Sequence, residues 1–506
     1  MDVTIFIALV IVILPLTYIY LKKKYYTYWA KRGVPYIDPK FFYGDGMKIL
    51  KGEISHAEQY LEFYKLFKAR GVRHGGIYIL FSPVYMPIDP ELIRNFLQKD
   101  FDHFVNRGFY VNEEFDPLTG HLFNLEGAKW KNLRAKLTPT FTSGKMKMMF
   151  QTLKECSVGL EQLLHECSKT SDPLDVREII ARFTTDTIGS CAFGIECNSM
   201  KNPDAEFKKY GKRIFEVSNS NMLKQIIACF LPMSIVKRYF KFIDQEVETF
   251  FVNAVRDTLA YREKNNILRN DFLHLLTTLK NEGNESDSIE NSKPFLSLNE
   301  ITAQCFVFFA AGFETSSTTT TFALYELSVN PEIQEKLREE ILFTLEKHGN
   351  EVTYESIGEM TYLEKVINEV LRKYPPVPIL HRRSNKSYNV PDTNVVIEEK
   401  RPVHIPVIGL HYDPDYYPDP EVFDPERFNE ENKAKRPAFT YLPFGDGPRI
   451  CIGLRFGKLQ TKLALITILR YYNVALNEKT KTPLQLDKTT FILSVEGGVW
   501  LNLLKL

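Results

Sequence analysis

The feature that most constrains this chain is the stretch 444–453, where a cysteine sits in a glycine-rich loop. Phe444, Gly445, Gly447, Arg449, Cys451 and Gly453 fall close together, and an apolar, helix-like run over 454–469 follows. A thiolate is a soft, electron-rich metal ligand, and an unprotected one oxidises or exchanges. Glycines at 445, 447 and 453 predict a tight backbone wrap whose N–H groups point toward sulfur. A helix starting just beyond Cys451 adds its positive end, which favours the anionic form. Arg449 is suited to pairing with a carboxylate of a bound group.

These properties describe a single-cysteine haem ligand, in which thiolate pushes electron density onto iron. Two blander readings compete. Most lone cysteines are buried small hydrophobes. A phosphate-cradling glycine loop is the other, but Ile450 stands where its third glycine belongs, and no βαβ pattern surrounds it. Composition adds exclusions. Lys+Arg 64 against Asp+Glu 63 gives a formal charge of +1, which gives no support to nucleic-acid binding as the main activity. The 7 cysteines are irregularly spaced and form neither a disulfide framework nor a C-x-x-C zinc pattern. That usage suits a reducing compartment.

Residues 3–21 carry no charge and are apolar apart from two threonines and two tyrosines. As a helix rising ~1.5 Å per residue they span about one bilayer core. Lys22, Lys23 and Lys24 follow at once, so positive charge holds the bulk of the chain on the cytosolic side. A cleaved signal peptide would want a basic start and small residues at its end; Asp2 and the bulky run 18–21 provide neither. The expected organisation is a membrane anchor over 1–24, a basic and proline-rich hinge over 25–39, and one catalytic domain over 40–506. The polar stretch 281–294 reads as a surface loop or disordered insert. It carries a glycosylation sequon at Asn284, and Asn385 begins another. A cytosolic body predicts that neither is used.

The rest reads as mainly α with a minor β-rich part. Amphipathic helices are expected over 145–167, 245–264 and 331–348, and short strands over 76–81 and 394–398. A terminal hairpin is expected around Gly497 and Gly498. Over 299–328 a strongly apolar segment follows a potential capping box, Ser297 with Glu300, and stops at Asn330-Pro331. Thr318 to Thr321 are intrinsically poor helix formers, so this helix needs burial to hold it. Within it lie Ala311, Gly312, Phe313, Glu314 and Thr315. Glu369 and Arg372, at i and i+3, share a helix face before a proline-rich turn. Trp130 and Arg134, at i and i+4, place an indole donor and a guanidinium together.

Taken in order, these motifs resemble the cytochrome P450 family, the haem-thiolate monooxygenases, and the anchor and tail resemble insect microsomal members that oxidise foreign compounds. The resemblance covers the chain from about Pro35 to its end, with the anchor before it. It implies the cytochrome P450 fold preceded by a single N-terminal transmembrane helix, in the endoplasmic reticulum membrane with the body facing the cytosol. It implies haem with Cys451 as axial thiolate, and Arg449, Phe444, Gly445 and Gly453 shaping that loop. Trp130, Arg134 and Arg382 match haem-propionate partners, with His121 a weaker candidate. Ala311 and Gly312 match the oxygen-binding helix, where Gly312 leaves room for a ligand. There Thr315 can hydrogen-bond dioxygen or water and Glu314 can feed protons. Glu369, Arg372 and Arg427 match a buried structural triad. His411 is read as structural.

Phe109, Phe123, Phe306, Phe309, Val377, Leu380 and Leu493 fall in segments matching the family's substrate regions. Their apolar character suits a lipophilic small molecule. A xenobiotic such as a plant toxin or insecticide is the first reading; an endogenous steroid or fatty acid is the alternative. A membrane-tethered haem protein without turnover is a further rival, which the Glu314 and Thr315 pair argues against. Electrons are expected from NADPH through a flavoprotein reductase, since no dinucleotide-binding pattern is present. Cytochrome b5 is admitted as an additional donor. Lys129, Lys131, Lys136, Lys433, Lys435, Arg436 and Lys458 are candidates for a basic docking patch.

Overall fold

The apolar run after Ser297 folds as one helix because both of its ends are fixed locally. Ser297 Oγ accepts from the Glu300 amide at 3.2 Å, and the Glu300 carboxylate accepts from the Ser297 amide at 2.7 Å. Asn330 closes the far end, and Pro331 opens the next helix. In a computed structural model of the chain, the product is a 32-residue helix, Leu298–Val329. The structure describes residues 16–20, 22–40, 43–170, 172–216, 224, 227–228, 231–269, 271–285 and 296–506.

The main elements, in chain order, begin with α1 (His56–Ala69), β1 (His74–Ile79), β2 (Ser82–Pro87), α2 (Gly127–Leu137) and α3 (Ser143–Cys167). Then come β3 (Leu174–Asp175), α4 (Val176–Ile188), α5 (Glu206–Phe215), α6 (Gln245–Asn265) and α7 (Phe272–Glu285). α8 (Leu298–Val329), α9 (Pro331–Lys347) and α10 (Thr361–Lys373) precede β4 (Leu380–Arg383), β5 (Tyr388–Asn389), β6 (Val396–Ile397) and β7 (Pro402–Ile405). The chain finishes with α11 (Leu454–Leu469), β8 (Tyr472–Leu476) and β9 (Trp500–Lys505). The helices predicted over 145–167, 245–264 and 331–348 are therefore α3, α6 and α9.

The chain divides into two units. One comprises the residues up to Gly108, Val377–Pro420 and Arg436–Ile450. Its sheet runs β1-β2-β7-β4, with β2 and β7 parallel through Tyr85 and Val403. The predicted strand 76–81 is displaced toward the N-terminus because Leu80, at φ 52°, turns the hairpin into β2. Two glycines let large rings reach this sheet. A Cβ at Gly75 would lie 2.2 Å from the Phe67 ring, and one at Gly76 would lie 2.4 Å from the Trp29 indole. Trp29 is 0% exposed. Its Nε1 donates to the Ile77 carbonyl at 3.2 Å, and its amide donates to the Tyr78 hydroxyl at 3.1 Å. The stretch expected as a hinge is thus packed onto β1 around Trp29.

The other unit comprises Phe109–Pro376, Glu421–Lys435 and Cys451–Leu506. α8 packs against α4 and α11, and α3 packs against the same two, so these helices enclose one core. Thr318, Thr319, Thr320 and Thr321 are all buried, as the composition of the segment requires. Thr319 and Thr320 keep their hydroxyls satisfied by donating to the carbonyls of Thr315 and Ser316, each at 2.8 Å. A three-stranded sheet, β3-β9-β8, completes the unit.

Three expectations need revision or lie out of reach. The terminal hairpin does not form around Gly497 and Gly498. β9 pairs instead with β8 and β3, and both glycines turn the chain at φ 81°. The cause is Asp175, whose Oδ1 accepts from the Val499 amide at 3.3 Å and leaves no room for a Cβ at Gly498. The polar insert starts later than expected, since α7 continues to Glu285; residues 286–295 lie outside the described ones. Most of the proposed anchor, residues 1–15 and 21, also lies outside them. Among the described residues no helix is long and apolar enough to cross a membrane.

Replacing Trp29 by Ala is expected to cost ~3–5 kcal/mol, the usual range for emptying an aromatic site in a core. Equilibrium urea unfolding followed by far-UV circular dichroism measures it. A midpoint equal to wild type would mean that the indole is not part of the core.

Candidate active site

The cysteine loop is shaped by two of its three glycines. Gly447 sits at φ 70°, and a Cβ there would lie 1.8 Å from the Leu97 carbonyl oxygen, so no other residue fits. Gly445 sits at φ 71°. Asp446 fixes the turn by accepting from the Gly447 amide at 2.5 Å and from Gln98 Nε2 at 2.8 Å. Gly453 has a different role from the one expected. Its φ is −90°, and a Cβ there would meet nothing within 4 Å. Glycine at 453 is required neither by the turn nor by packing within the chain, and it leaves open space beside Cys451. Cys451 is exposed, three residues before α11 begins at Leu454. Arg449 is buried and donates from Nε to the Val105 carbonyl at 2.9 Å. Arg107, which had no motif to mark it, donates to the Arg449 carbonyl at 3.2 Å.

In the unit that holds Cys451, α2 supplies Trp130 and Arg134. Trp130 is buried with Leu133 and Leu137, and Arg134, one turn further on, is half-buried. Burial pushes the Arg134 guanidinium down from its ordinary range, and the Cys451 sulfur is the charge that opposes the shift. In the other unit, Arg382 on β4 is 2% exposed. It donates to the His381 carbonyl at 2.9 Å, while its Nε has no hydrogen-bond partner. Burial alone lowers its pKa to about 10. A buried cation without a carboxylate calls for an anion. Within its own unit, an exposed cysteine with the Arg134 guanidinium near it fits a thiolate ligand of an iron porphyrin, with a cation at hand for a carboxylate arm.

α8 brings the next residues. A Cβ on Gly457 of α11 would lie 3.6 Å from Ser316 Oγ, so the helix that follows Cys451 meets α8 beside Thr315. α8 is buried at Phe306, Phe309 and Phe313, yet Ala311 is exposed and Val307, Ala310, Glu314 and Thr315 are half-buried. These positions recur at i, i+3 and i+4 and make one accessible stripe along the middle of the helix. Val307 and Ala310 fall in the segment 306–310 that the family resemblance marks as a substrate region, about two turns and one turn before Thr315. Gly312 faces Ile188 of α4. A Cβ there would lie 2.7 Å from Ile188 Cδ1, so this glycine lets α4 approach α8.

Thr315 donates its hydroxyl proton to the Ala311 carbonyl at 2.6 Å. Its oxygen lone pairs remain available as acceptors. Glu314 is no surface glutamate. Burial pushes its carboxyl up, while Arg177 and Lys212 pull it down and Asp487 pushes up again. Arg177 Nη2 lies 3.7 Å from Glu314 Oε1.

The triad is assembled in full. Glu369 and Arg372 are both 0% exposed and joined by two hydrogen bonds of 2.7 and 2.8 Å. Glu369 Oε1 also accepts from the Asp424 amide at 3.0 Å and lies 3.4 Å from Arg427 Nε. Burial pushes the Glu369 carboxyl up, against the opposing pull of both guanidiniums and the amide.

The candidate substrate residues separate. Phe109 packs 5.5 Å from Phe123 and 6.5 Å from Phe491, with all three part-exposed. Leu493 is buried, its amide donating to the Pro376 carbonyl at 2.9 Å. Val377 and Leu380 are half-buried. Phe306 lies 5.3 Å from Phe251 and is buried. Phe309 is 0% exposed inside a cluster with Phe193, Phe207 and Phe251, so it belongs to the core and not to a pocket wall. His121 is buried, 6.3 Å from the Phe306 ring. His411 accepts from the Leu442 amide at 2.9 Å, which occupies its Nε2 structurally. Of the expected docking cations, Lys129, Lys433, Lys435 and Lys458 each pair with a carboxylate of this chain, which reduces the free positive charge on offer.

The cytochrome P450 family model matches residues 46–501, and the chain belongs to that family of haem-thiolate monooxygenases. It is 44% identical over 488 residues to a probable cytochrome P450 6a13 of Drosophila melanogaster, covering 96% of both chains. It is 41% identical to cytochrome P450 6a2 of the same fly, over 96% of each chain. To cytochrome P450 6A1 of Musca domestica it is 42% identical, over 94% of this chain and 93% of the other. The family implies a haem held by a cysteine thiolate, dioxygen as co-substrate and electrons supplied by a reductase.

Glu369→Ala is expected to destabilise the protein by ~3–5 kcal/mol, because it leaves buried guanidiniums without their counter-charge. The measure is the urea concentration at which the reduced, carbon-monoxide-bound absorption band is lost. Retention of that band at wild-type urea would show the cluster to be dispensable.

Proposed function

We propose that this monooxygenase oxidises lipophilic small molecules of foreign origin, such as plant toxins or insecticides, with electrons passed from NADPH by a flavoprotein reductase. The observation that carries the reading is the accessible stripe Val307, Ala310, Ala311 and Thr315 on a helix that meets the Cys451 helix at Ser316. Apart from Glu314 and Thr315 the stripe is apolar, and the aromatic group Phe109, Phe123 and Phe491 belongs to the same unit. Such a lining suits an apolar ligand better than a charged one.

Cys451 is the proposed thiolate ligand of haem, with Trp130 and Arg134 of its own unit as proposed donors to a haem carboxylate; the family motifs give Arg382 and Arg449 the same proposed role. Haem, when bound, supplies the oxygen activation that no side chain can perform. The chain's residues then bind, orient and manage protons. In the unit that holds Cys451, Phe109, Phe123 and Leu493 exclude water and orient the substrate; the family motifs give Val377 and Leu380 the same proposed role. Glu314 stores a proton, since burial favours its neutral form and the nearby guanidinium stabilises the charged one. Thr315, its own proton given to Ala311, accepts a hydrogen bond from a water and so fixes a proton donor beside the stripe. The proposed location is the endoplasmic reticulum membrane, with residues 1–24 as anchor and the body in the cytosol.

Two substitutions are expected to fail differently. Cys451→Ala or Cys451→His abolishes the thiolate spectrum of the reduced, carbon-monoxide-bound protein, because only sulfur provides that donation. Thr315→Ala keeps the spectrum but lowers product formed per NADPH consumed by roughly tenfold, with the loss recovered as hydrogen peroxide. A normal thiolate spectrum in Cys451→Ala would overturn the ligand assignment, and unchanged coupling in Thr315→Ala the role given to the hydroxyl. Removing residues 1–24 is expected to release a haem-loaded body from the high-salt-washed membrane pellet into the supernatant. Full protection of the body from protease in sealed microsomes would contradict the cytosolic orientation.

A further inference from the structure

Arg177 stands where three pieces of one unit converge, and nothing in the sequence singled it out. It is the second residue of α4, and its amide donates to Asp175 Oδ1 at 3.1 Å. The same carboxylate oxygen receives the Val499 amide, so the root of the side chain is fixed to the end of the 491–499 loop. The guanidinium then reaches in two directions. Nη1 donates to the Val495 carbonyl at 2.9 Å, and Nη2 lies 3.7 Å from Glu314 Oε1. The first contact is a full hydrogen bond. The second is an ion pair outside hydrogen-bond distance.

The loop held by Nη1 is the one that carries Leu493. Ile492, Leu493, Ser494 and Val495 are buried, and the Leu493 amide is tied to Pro376. The charged groups around Glu314 are few: Arg177 from α4, Lys212 from α5 and Asp487 from the loop before β9. Lys212 is itself bound to Glu178 at 3.0 Å. Arg177 is therefore the cation best placed to follow the loop and act on Glu314.

We propose that Arg177 is a positioning residue that links occupancy of the substrate pocket, through the Val495 carbonyl, to release of the proton held by Glu314. The link rests on the pocket and proton roles given above for Leu493 and Glu314. A substrate that presses on Leu493 moves the Val495 carbonyl and carries the guanidinium with it. A shift of less than 1 Å brings Nη2 within hydrogen-bond range of Oε1, where the pair strengthens. The O–H bond of Glu314 then breaks, its proton passes to a water beside the stripe, and the guanidinium balances the new carboxylate. Bulk water returns the proton past Arg177, whose side chain is 34% exposed. With the pocket empty the pair is looser and the carboxyl keeps its proton, so reducing equivalents are not spent without substrate.

The test uses the full-length holoenzyme with its reductase and 7-ethoxycoumarin as the probe. Arg177→Gln is expected to raise amide hydrogen exchange in peptides covering 491–499, which is read without turnover. It is expected to move the pH midpoint of coupling upward, because removing a cation raises the pKa of a neighbouring carboxyl. Product per NADPH falls by roughly tenfold, short of the factor of about 100 that loss of a proton donor itself costs. Infrared titration of the carboxyl stretch that disappears in Glu314→Gln reports the same upward shift directly. In Arg177→Lys one ammonium cannot reach both partners, so either the exchange or the midpoint changes. Wild-type exchange together with a wild-type midpoint, in Arg177→Gln or in Arg177→Lys, overturns the link. Normal coupling in Glu314→Gln overturns instead the proton role assigned to that carboxyl.

Discussion

The burial of α8 is the constraint on which its unit depends. A helix of 32 residues runs ~48 Å at the usual rise, and most of this one is enclosed by other helices. It carries an unusual load of hydroxyls for a core element. Thr302, Thr315, Thr319 and Thr320 each give their proton to the carbonyl four residues earlier. Such bonds contribute little net stability, but at the buried Thr302, Thr319 and Thr320 each prevents the larger penalty of a hydroxyl left without a partner. The helix is thus free to be polar within its own cylinder and apolar toward its neighbours. α4 and α11 can pack against it, and the start of α11 places Cys451.

How much of this the sequence made visible depended on range. Features set within a few residues were readable: the Ser297 and Glu300 cap, the stop at Pro331, the Glu369 and Arg372 pair, and the positive-φ glycines 445 and 447. Features set by distant packing were not. Gly312 is small because of Ile188, more than a hundred residues earlier. The last strand ignores its local turn signal because Asp175 and β8 offer better partners. Phe309 and Phe306 looked alike as neighbours on one helix, yet a cluster of phenylalanines from three other elements absorbs Phe309. Arg107 and Arg177 belong to no local pattern; only the carbonyls that they reach give them a role.

The charges of the candidate site follow a consistent rule. Cations that are satisfied by carboxylates of the chain, such as Arg372 with Glu369 or Lys458 with Glu364, hold the scaffold. Cations buried without such a partner, Arg382 above all, are left for an anion that the chain does not provide. The distinction lies in the partner and not in the residue type, which explains why the arginines of this protein could not be sorted by sequence alone. The same rule separates Glu314, whose carboxyl is poised between burial and Arg177, from the surface glutamates that merely neutralise nearby lysines.

The seating of Trp29 against Gly76 has a mechanical consequence. Tension applied along the residues before Tyr25 does not pass into a free leash. It enters β1 through the indole and the Ile77 carbonyl, and from there spreads sideways across the β1-β2-β7-β4 ladder. The N-terminal segment is in effect bolted to a plate, so whatever grips the start of this protein grips the whole of that unit.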